Sequence, residues 1–347
     1  MRFLVIAPPS PITDGIFDEL RALKNFEPEL FTMNLFYFSS SYLERKIYKL
    51  GVKISERKFN HTLINNLNDR LEKFRPDFLL ILNGSNVPRD VQKFIAGREI
   101  ILWAWDSVKN FSETEGFTEI ADEIFCFEQG DLKYLSGKNL TAHYLPLGAN
   151  EKIYFPLEKK RDVDISFVGL ASKERLEILE RVCEMAYQKN FSVKVGGIFY
   201  DAKHFWKKYF FERRYPNLVK FLENRIFAPE EVADLYRRSK ICLNINTAAH
   251  KSLSPRTFEI CATKSFQLMN AGQNSCGLVN FGKDIAIFQD TNDLIEKIIF
   301  YLSQENLRKE IALNGYNSVM KNCTLKKSVE KLFSESEVIK NLSREKL

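Results

Sequence analysis

The sequence contains no apolar run long enough to cross a bilayer. Its longest apolar stretches, residues 77–83 and 99–105, are far shorter than the roughly 20 residues of a membrane-spanning helix. The apolar start at residues 3–7 is interrupted at once by Pro8 and Pro9, which favours a buried strand over a signal peptide. We therefore expect no membrane span.

Cysteine and histidine are both sparse. The 6 cysteines include no close pair at metal-ligand or redox spacing, and the 4 histidines form no metal-binding pattern. These absences argue against a disulfide scaffold and predict a reduced, cytoplasmic setting. We expect neither a metal ion nor another cofactor.

An excess of charge of one sign is also missing. A net charge of +6, with 45% hydrophobic and 28% charged residues, is typical of a globular chain and excludes a disordered one. The mild positive excess suits an anionic small molecule, a nucleic acid or an acidic membrane surface. The net charge alone does not distinguish among these three partners.

Short apolar runs alternate with helical patterns along both halves of the 347 residues, a length that exceeds what one core usually serves. This alternation predicts an α/β protein with parallel sheets wrapped by helices. The expected strands cover residues 2–7, 77–83, 99–104, 123–127, 164–168, 192–195, 241–245 and 266–269. The expected helices include residues 17–24, 61–74, 293–302 and 326–338.

An irregular stretch separates the two halves. Residues 145–150 contain proline and glycine, and a basic run follows at residues 159–161. We predict a first domain over residues 1–149, a second over 150–325, and a C-terminal helix and tail over 326–347 that packs back on the first domain.

The most informative loop follows the strand expected at residues 241–245. Ligands of open parallel sheets bind beyond the carboxyl ends of the strands, where Asn244 and Asn246 lie. A helix then opens with Ser254 as its expected N-cap and Pro255 in its first turn. Its free N–H groups can hold a diphosphate, and Arg256 can add charge-assisted contacts.

Glu259 lies three residues beyond Arg256 and therefore on the same helix face. A carboxylate there can accept hydrogen bonds from both hydroxyls of a ribose. The alternative is that these two residues form a surface ion pair on an amphipathic helix. Asn244 and Asn246 argue against it, because a purely structural strand gains nothing from them.

A second loop follows the strand at residues 164–168. Gly169 would let a phosphate approach the backbone, and Arg175 or Lys173 could neutralise it. The alternative is a structural turn glycine before a helix.

In the first half, Asp106 follows two tryptophans at the end of an expected strand. It could bind hydroxyl groups or act as a general base. Alternatively, it caps the segment that follows. The loop around Asn83 and Gly84 is a weaker candidate.

The second half resembles the glycosyltransferase family typified by the spore maturation protein CgeB, related to the group 1 transferases. The first half matches only in pattern. The residues that carry the resemblance are 145–148, 164–169, 235–246, 256–262, 266–268, 288–290, 293–294, 301–302 and 311–315.

The resemblance implies a GT-B fold, in which two Rossmann-like domains face each other across a cleft. The first would be the acceptor side and the second would bind a UDP-, GDP- or dTDP-sugar. A metal-independent transfer to a hydroxyl of a glycan, lipid-linked or protein acceptor is then expected. The alternatives are a nucleotide-sugar epimerase and a non-catalytic nucleotide-sugar or glycan-binding protein.

The resemblance also assigns site residues. It places Glu259 at the family's ribose-binding position and Arg256 beside the diphosphate, so Arg256 joins Asp106 as a candidate catalytic residue. Similar transferases pack the base against the loop that holds Phe227, which could equally be a core aromatic. The remaining candidates for substrate binding are Gly169, Arg175, Asn244, Asn246, His250, Lys251, Ser254 and Thr257.

One position departs from the group 1 pattern. These transferases usually carry a second glutamate eight positions before the first, where this chain has Lys251. The departure leaves the donor sugar and the stereochemical outcome open.

Residues 203–215 mix basic and aromatic side chains densely. An amphipathic helix over the core is the favoured interpretation. The second is contact with a lipid surface, which would make the protein peripheral at the inner membrane face. We expect no nucleic-acid partner.

Overall fold

Two six-stranded sheets, in which every strand pairs in parallel, organise the chain. The computed structural model describes residues 1–33, 53–85, 87–247 and 251–345. Two compact units result: Met1–Leu147 with Leu325–Leu347, and Gly148–Thr324. The strands are β1 (Arg2–Ala7), β2 (Glu27–Thr32), β3 (Phe78–Leu82), β4 (Ile100–Ala104), β5 (Glu123–Cys126), β6 (Ala142–Tyr144), β7 (Val163–Val168), β8 (Val193–Gly196), β9 (Leu222–Glu223), β10 (Ser239–Asn244), β11 (Gln267–Asn270) and β12 (Ala286–Phe288).

Helices connect these strands and complete both units. They are α1 (Pro11–Arg21), α2 (Lys53–Phe74), α3 (Arg89–Ile95), α4 (Ser112–Phe117), α5 (Gln129–Ser136), α6 (Lys173–Lys189), α7 (Phe205–Arg214), α8 (Pro229–Arg238), α9 (Pro255–Ala262), α10 (Thr291–Ser303), α11 (Glu305–Asn322), α12 (Leu325–Glu335) and α13 (Glu337–Glu345). A short 3₁₀ helix covers Leu218–Lys220. No helix among the described residues is long and apolar enough to span a membrane.

The first unit has the strand order β2-β1-β3-β4-β5-β6. Its central strands β3 and β4 are buried along their whole length, as expected for a parallel sheet covered on both faces. The β2 strand was not predicted, because Pro28 and two glutamates interrupt its apolar pattern. It is an edge strand, where a missing backbone N–H is tolerated.

The helices α12 and α13 belong to this first unit. Leu325, Val329, Leu332 and Ile339 join its core on the same sheet face as Trp103. The helix predicted over residues 326–338 is confirmed as far as Glu335, but the chain then breaks and starts a second helix.

The break between α12 and α13 falls at Ser336. Its hydroxyl donates a hydrogen bond to the buried carboxylate of Glu123, and the N–H of Glu337 donates to the same group. Leaving a buried carboxylate without hydrogen-bond partners would cost more free energy than interrupting one helix.

The second unit has the strand order β12-β11-β10-β7-β8-β9. From β7 the chain moves outward through β8 and β9, then returns to place β10 on the other side of β7. The junction of β7 and β10 is therefore the topological switch point of this sheet.

The interpretation of residues 203–215 as a helix that covers the core is wrong for most of its length. Only Phe211 of α7 is buried, whereas Phe205 is 79% exposed. The aromatic residues outnumber the positions that face the sheet, so most of them point away from it.

Candidate functional site

The carboxyl ends of β7 and β10 bring several candidate residues together. β7 ends at Val168, directly before Gly169, and β10 ends at Asn244. The two strands are neighbours in the sheet, with Ile241 paired to Ile165. The residues that follow them therefore share one edge, which is the usual ligand-binding edge of an open α/β sheet.

The helix α9 begins at this edge. Ser254 occupies the N-cap position with an extended backbone, and Pro255 is the first helical residue. The expected side-chain cap is absent: the Ser254 hydroxyl makes no capping hydrogen bond and is buried without a partner among the described residues. An unsatisfied buried hydroxyl beside the first turn of a helix suits a ligand with hydrogen-bonding oxygens.

Arg256 lies in that first turn and reaches back to the strand. Its guanidinium donates to the side-chain oxygen of Asn244 at 3.2 Å and to the Tyr236 hydroxyl, and it lies 5.4 Å from the centre of the Phe167 ring. A Cβ added at Gly169 would lie 2.7 Å from Arg256 Nη2. A side chain at this position would therefore displace the end of the guanidinium.

The backbone N–H of Gly169, where a phosphate was expected to approach, is not a free donor. Its N–H already donates to the carbonyl of Gly196 at 3.0 Å. Parallel sheet pairing extends one residue past β7, so this N–H is not available to a ligand.

Arg175, in the first turn of α6, points towards the same edge. It donates to the carbonyl of Ile245 at 2.8 Å and to that of Leu170 at 2.9 Å. Burial and the positive charge of Arg256 lower the pKa of Arg175 to about 10. The hydrogen bonds of both guanidiniums go to carbonyl, amide and hydroxyl oxygens. Two cations held this way beside a helix start favour an anionic ligand.

Asn244 links the end of β10 to the first turn of α9 through its side chain. Its amide nitrogen donates to Thr257 Oγ1 at 2.9 Å and to Gln267 Oε1 at 3.2 Å, while its oxygen accepts from Arg256. Both Asn244 and Thr257 are fully buried. We therefore expect these two residues to position Arg256 rather than to touch a ligand.

Asn246 is arranged differently. Its backbone pairs with the side chain of Asn270, through hydrogen bonds of 2.7 and 3.1 Å. Its own amide nitrogen is buried and has no partner in the described chain. Asn246 thus offers a free donor on the same sheet edge as the Ser254 hydroxyl.

Glu259 is half-buried in α9 and accepts a hydrogen bond from the Tyr154 hydroxyl. Loss of solvent raises its pKa to about 7, although Arg256 and Tyr154 both favour the charged form. Glu259 makes no ion pair with Arg256, whose guanidinium bonds to Asn244 and Tyr236 instead. The surface ion-pair interpretation is therefore wrong.

Phe227 lies one strand further along the edge, beside the end of β8. A Cβ on Gly196 would come within 2.6 Å of its ring, and the Arg225 guanidinium lies 3.8 Å from the ring centre. The ring is half-buried and lines a cavity of about 440 Å³. It also packs against the core cluster of the second unit that includes Phe258 of α9, so the core-aromatic alternative stays open.

The remaining candidates are less well placed. Lys251 is exposed, and its carbonyl accepts from the N–H of Asn274 at 2.7 Å. His250 lies outside the described residues. Asp106 follows β4 in the first unit and is half-buried.

An Asp-x-Asp sequence, Asp162-Val163-Asp164, leads into the start of β7 at the opposite edge of the sheet. Asp162 pairs with Arg238 at 2.6 Å and Asp164 with Lys240 at 2.7 Å. In the described chain, no group of three or more histidine, cysteine or acidic residues is arranged to hold a metal.

Known proteins share this fold. Sucrose-phosphate synthase from Thermosynechococcus elongatus superposes with a TM-score of 0.69 at 12% identity, covering 99% of both chains. Anabaena HepE in complex with UDP-glucose gives a TM-score of 0.68 at 11% identity, covering 99% of this chain and all of HepE. Residues 175–334 match the family described as glycosyl transferase-like.

The chain has the GT-B fold, and its second half resembles the glycosyl transferase-like family. It is also 22% identical to spore protein CgeB of Bacillus subtilis (strain 168) over 270 residues, which cover 72% of this chain and 80% of CgeB. The expected fold class and family resemblance are thereby confirmed.

Two tyrosines of this site were missed in the sequence. Tyr154 and Tyr236 lie with their ring centres 6.4 Å apart and contact Glu259 and Arg256 respectively. Tyr154 stands in the irregular stretch between the domains, and no spacing relates it to α9. Tyr236 lies inside the segment that carries the family resemblance, which was the one available signal.

Proposed function

We propose that this protein transfers a sugar from a nucleotide diphosphate-sugar to a hydroxyl group, with the donor held by the second unit. The observation that carries the proposal is the pair of guanidiniums at the β7–β10 switch point. Arg175 and Arg256 lie beside the start of α9, where the Ser254 hydroxyl has no partner among the described residues. A diphosphate supplies the negative charge and acceptor oxygens that this edge lacks.

The donor would lie along α9 and the neighbouring strand ends. Glu259, when ionised, would accept hydrogen bonds from the ribose hydroxyls, and Phe227 would pack against the base. The diphosphate would contact Arg256 and the first turn of α9, with Ser254 and Asn246 as further donors. Lys251 and His250 would contact the donor sugar.

Arg256 would contribute most to the reaction itself. Charge builds up on the departing nucleotide diphosphate in the transition state, and a guanidinium with the positive end of a helix dipole stabilises it without reorganisation. No metal ion is required in this scheme. In the first unit, Asp106 is the proposed acceptor-binding residue or general base, for a glycan, lipid-linked or protein acceptor.

A nucleotide panel tests the donor site. UDP, GDP, dTDP, CDP and CMP would be compared by thermal shift, since a ligand at 100 times its dissociation constant adds about 2.7 kcal/mol of stability. UDP-glucose is the first donor to assay, because the similar fold of HepE holds it. We expect one nucleotide to stabilise the protein selectively.

Variants separate this site from nonspecific binding. Arg256→Ala and Glu259→Ala should each lose the nucleotide response and donor turnover, whereas Arg181→Ala, an exposed arginine on α6, should keep both. Unchanged turnover in Arg256→Ala and Glu259→Ala would remove the donor-site assignment.

Product analysis without an acceptor distinguishes the alternatives. An epimerase would convert the nucleotide-sugar alone, whereas a transferase needs an acceptor for more than slow hydrolysis. A response to nucleotide with no turnover under any condition would instead indicate a binding protein.

A further inference from the structure

The helix α7 presents aromatic side chains to solvent. The exposed fractions are 79% for Phe205, 47% for Trp206, 52% for Tyr209 and 66% for Phe210. Isolated apolar residues on a surface are ordinary, but four large rings within one short helix are not.

These rings occupy one face of the helix. Phe205 and Tyr209 are four residues apart, as are Trp206 and Phe210, so both pairs lie on neighbouring rows of the same side. Their ring centres lie 5.3 Å apart for Phe205 and Trp206, and 5.7 Å apart for Tyr209 and Phe210. The two ring pairs thus form an exposed aromatic face on one side of α7.

The opposite side of α7 is anchored in the second unit. Phe211 is buried and packs with its ring centre 4.9 Å from Tyr200 and 5.2 Å from Tyr215. Since the anchor fixes the rotation of the helix, the aromatic face cannot turn inward without giving up this contact.

Positive charge borders the aromatic face. Among the charged residues of α7, Glu212 is acidic and four are basic: Lys207, Lys208, Arg213 and Arg214. The two lysines pair with nearby carboxylates, Lys207 with Asp201 at 3.2 Å and Lys208 with Glu212 at 3.6 Å.

The two arginines stay available for an anion. Arg213 donates to the Tyr209 hydroxyl at 3.0 Å, and the Arg214 guanidinium lies 5.5 Å from the Tyr215 ring. Neither forms an ion pair with a carboxylate in the described part of the chain. Their positive charge therefore remains available to an anionic partner that covers the aromatic face.

We propose that α7 is a docking surface for an anionic lipid bilayer. Aromatic rings settle at the level of the lipid headgroups, and lysine and arginine attract anionic headgroups while their stems lie along apolar surface. The charge complementarity favours this occupant over an apolar protein partner. A single-stranded nucleic acid would need a groove that tracks its backbone, which a convex helix face does not offer.

Docking at α7 has a consequence for the acceptor, if the proposed transfer reaction is correct. The segment leading to α7 begins at Gly197, where an added Cβ would lie 1.9 Å from the carbonyl oxygen of Gly169. The docking segment thus starts against the donor-site loop. A lipid-linked acceptor fits this placement better than a freely diffusing one.

Vesicle sedimentation with the full chain tests the proposal. Vesicles of phosphatidylcholine alone would be compared with an equimolar mixture of phosphatidylcholine and phosphatidylglycerol, at low and raised salt. We expect binding to the mixed vesicles that weakens in salt, and much weaker binding to phosphatidylcholine alone.

Exposed-residue variants locate the contact. The double variant Trp206→Ser/Phe210→Ser should bind about a hundredfold or more weakly, because each ring contributes a factor of about ten or more when buried. The matched control Phe300→Ser/Leu313→Ser removes two exposed apolar residues of the same unit, 49% and 42% exposed, and should bind like the native chain.

Tryptophan fluorescence gives an independent measurement. Of the 3 tryptophans, Trp103 is fully buried and Trp105 is 8% exposed, so quenching by brominated lipid reports on Trp206. We expect quenching in mixed vesicles, and its loss in Trp206→Phe while sedimentation persists.

Several results would overturn the docking proposal: no vesicle binding, equal binding to both compositions, equal losses in the two double variants, or self-association through α7 in place of lipid binding. The UDP thermal shift of the same proteins reports on the donor site separately. If vesicle binding is absent but UDP still stabilises the protein, the docking proposal fails and the proposed function does not. If vesicle binding is present but UDP has no effect, the proposed function fails and the docking surface does not.

Discussion

The carboxyl group of Glu259 titrates near neutrality because of what surrounds it. Desolvation raises its pKa from 4.5 to about 7, against the opposing effects of Arg256 and Tyr154. The folded state therefore holds this proton more tightly than the unfolded chain does. Between these two pH values, the free energy of unfolding falls as pH rises.

Glu259→Gln should remove this dependence. Glutamine keeps the shape and can still accept from Tyr154, but it has no charge to desolvate. We expect the variant to be more stable than the native chain by up to about 3 kcal/mol above about pH 8, with the difference vanishing near about pH 4.5. Urea unfolding across this range would measure it.

Glu310→Gln, at an exposed position on α11, serves as the control and should leave the pH profile unchanged. A parallel pH profile for Glu259→Gln and the native protein would show that the pKa of Glu259 is the same in the folded and unfolded states.

Gly169→Ala should weaken nucleotide diphosphate binding without unfolding the protein. The new methyl group would lie 2.7 Å from Arg256 Nη2, so the mobile end of the guanidinium must shift. We expect an affinity about tenfold lower, equivalent to about 1.4 kcal/mol. Calorimetric titration with UDP would measure the loss.

Gly130→Ala on α5 is the matched control, since its nearest atom beyond the chain neighbours lies 3.7 Å from the added methyl group. Equal UDP affinity in both glycine variants would mean that Arg256 does not contact the diphosphate.

The sequence predicted part of this site and could not predict the rest. Helical spacing placed Arg256 and Glu259 on one face of a helix that begins after a polar strand end, and α9 has that position. The Tyr154 hydroxyl joins Glu259 from about a hundred residues away in sequence, and only the folded chain creates that contact. A pKa near neutrality depends on the same contact and on burial.

At the scale of the element, the strands of the central sheets were the easiest to predict. β3 and β4 are buried on both faces, so their apolar residues are consecutive and unmistakable. The edge strand β2 and the short β6 and β12 lack such a pattern. Pairing with a neighbour, more than composition, makes them strands.

The start of α9 differs from that of α10 in the same unit. At α10, the Asp290 side chain accepts hydrogen bonds from the N–H groups of Asn292 and Asp293, as an N-cap should. At α9, the Ser254 side chain makes no such bond. The two helix starts therefore predict opposite effects for the same type of substitution.

Ser254→Ala should leave the stability of the ligand-free protein nearly unchanged and weaken UDP binding. Asp290→Ala should cost about 1 kcal/mol of stability and leave UDP binding unchanged, because it removes a true cap. Chemical denaturation and UDP titration of both variants would measure the two effects. A stability loss in Ser254→Ala as large as that in Asp290→Ala would contradict this assignment.

At the scale of the whole molecule, each unit has its own core. Leu332 of α12 is 1% exposed and packs in the first unit, whereas the proposed nucleotide-binding residues all lie in the second. Substitution in one core should therefore leave the chemistry of the other unit intact.

Leu332→Ala should destabilise the first unit by about 2–5 kcal/mol. Calorimetric unfolding should show a lower transition for that unit, while UDP raises the transition of the second unit as it does in the native protein. Loss of the UDP response in this variant would show that the two units fold as one.

The return of α12 and α13 to the first unit also sets an order of events during synthesis. Residues 148–324 leave the ribosome before Leu325, Val329 and Leu332, which the first core still requires. The second unit can complete its fold on the nascent chain, while the first waits with part of its apolar surface uncovered. Nascent chains halted before Leu325 should thus depend on chaperones for the half of the molecule that was made first.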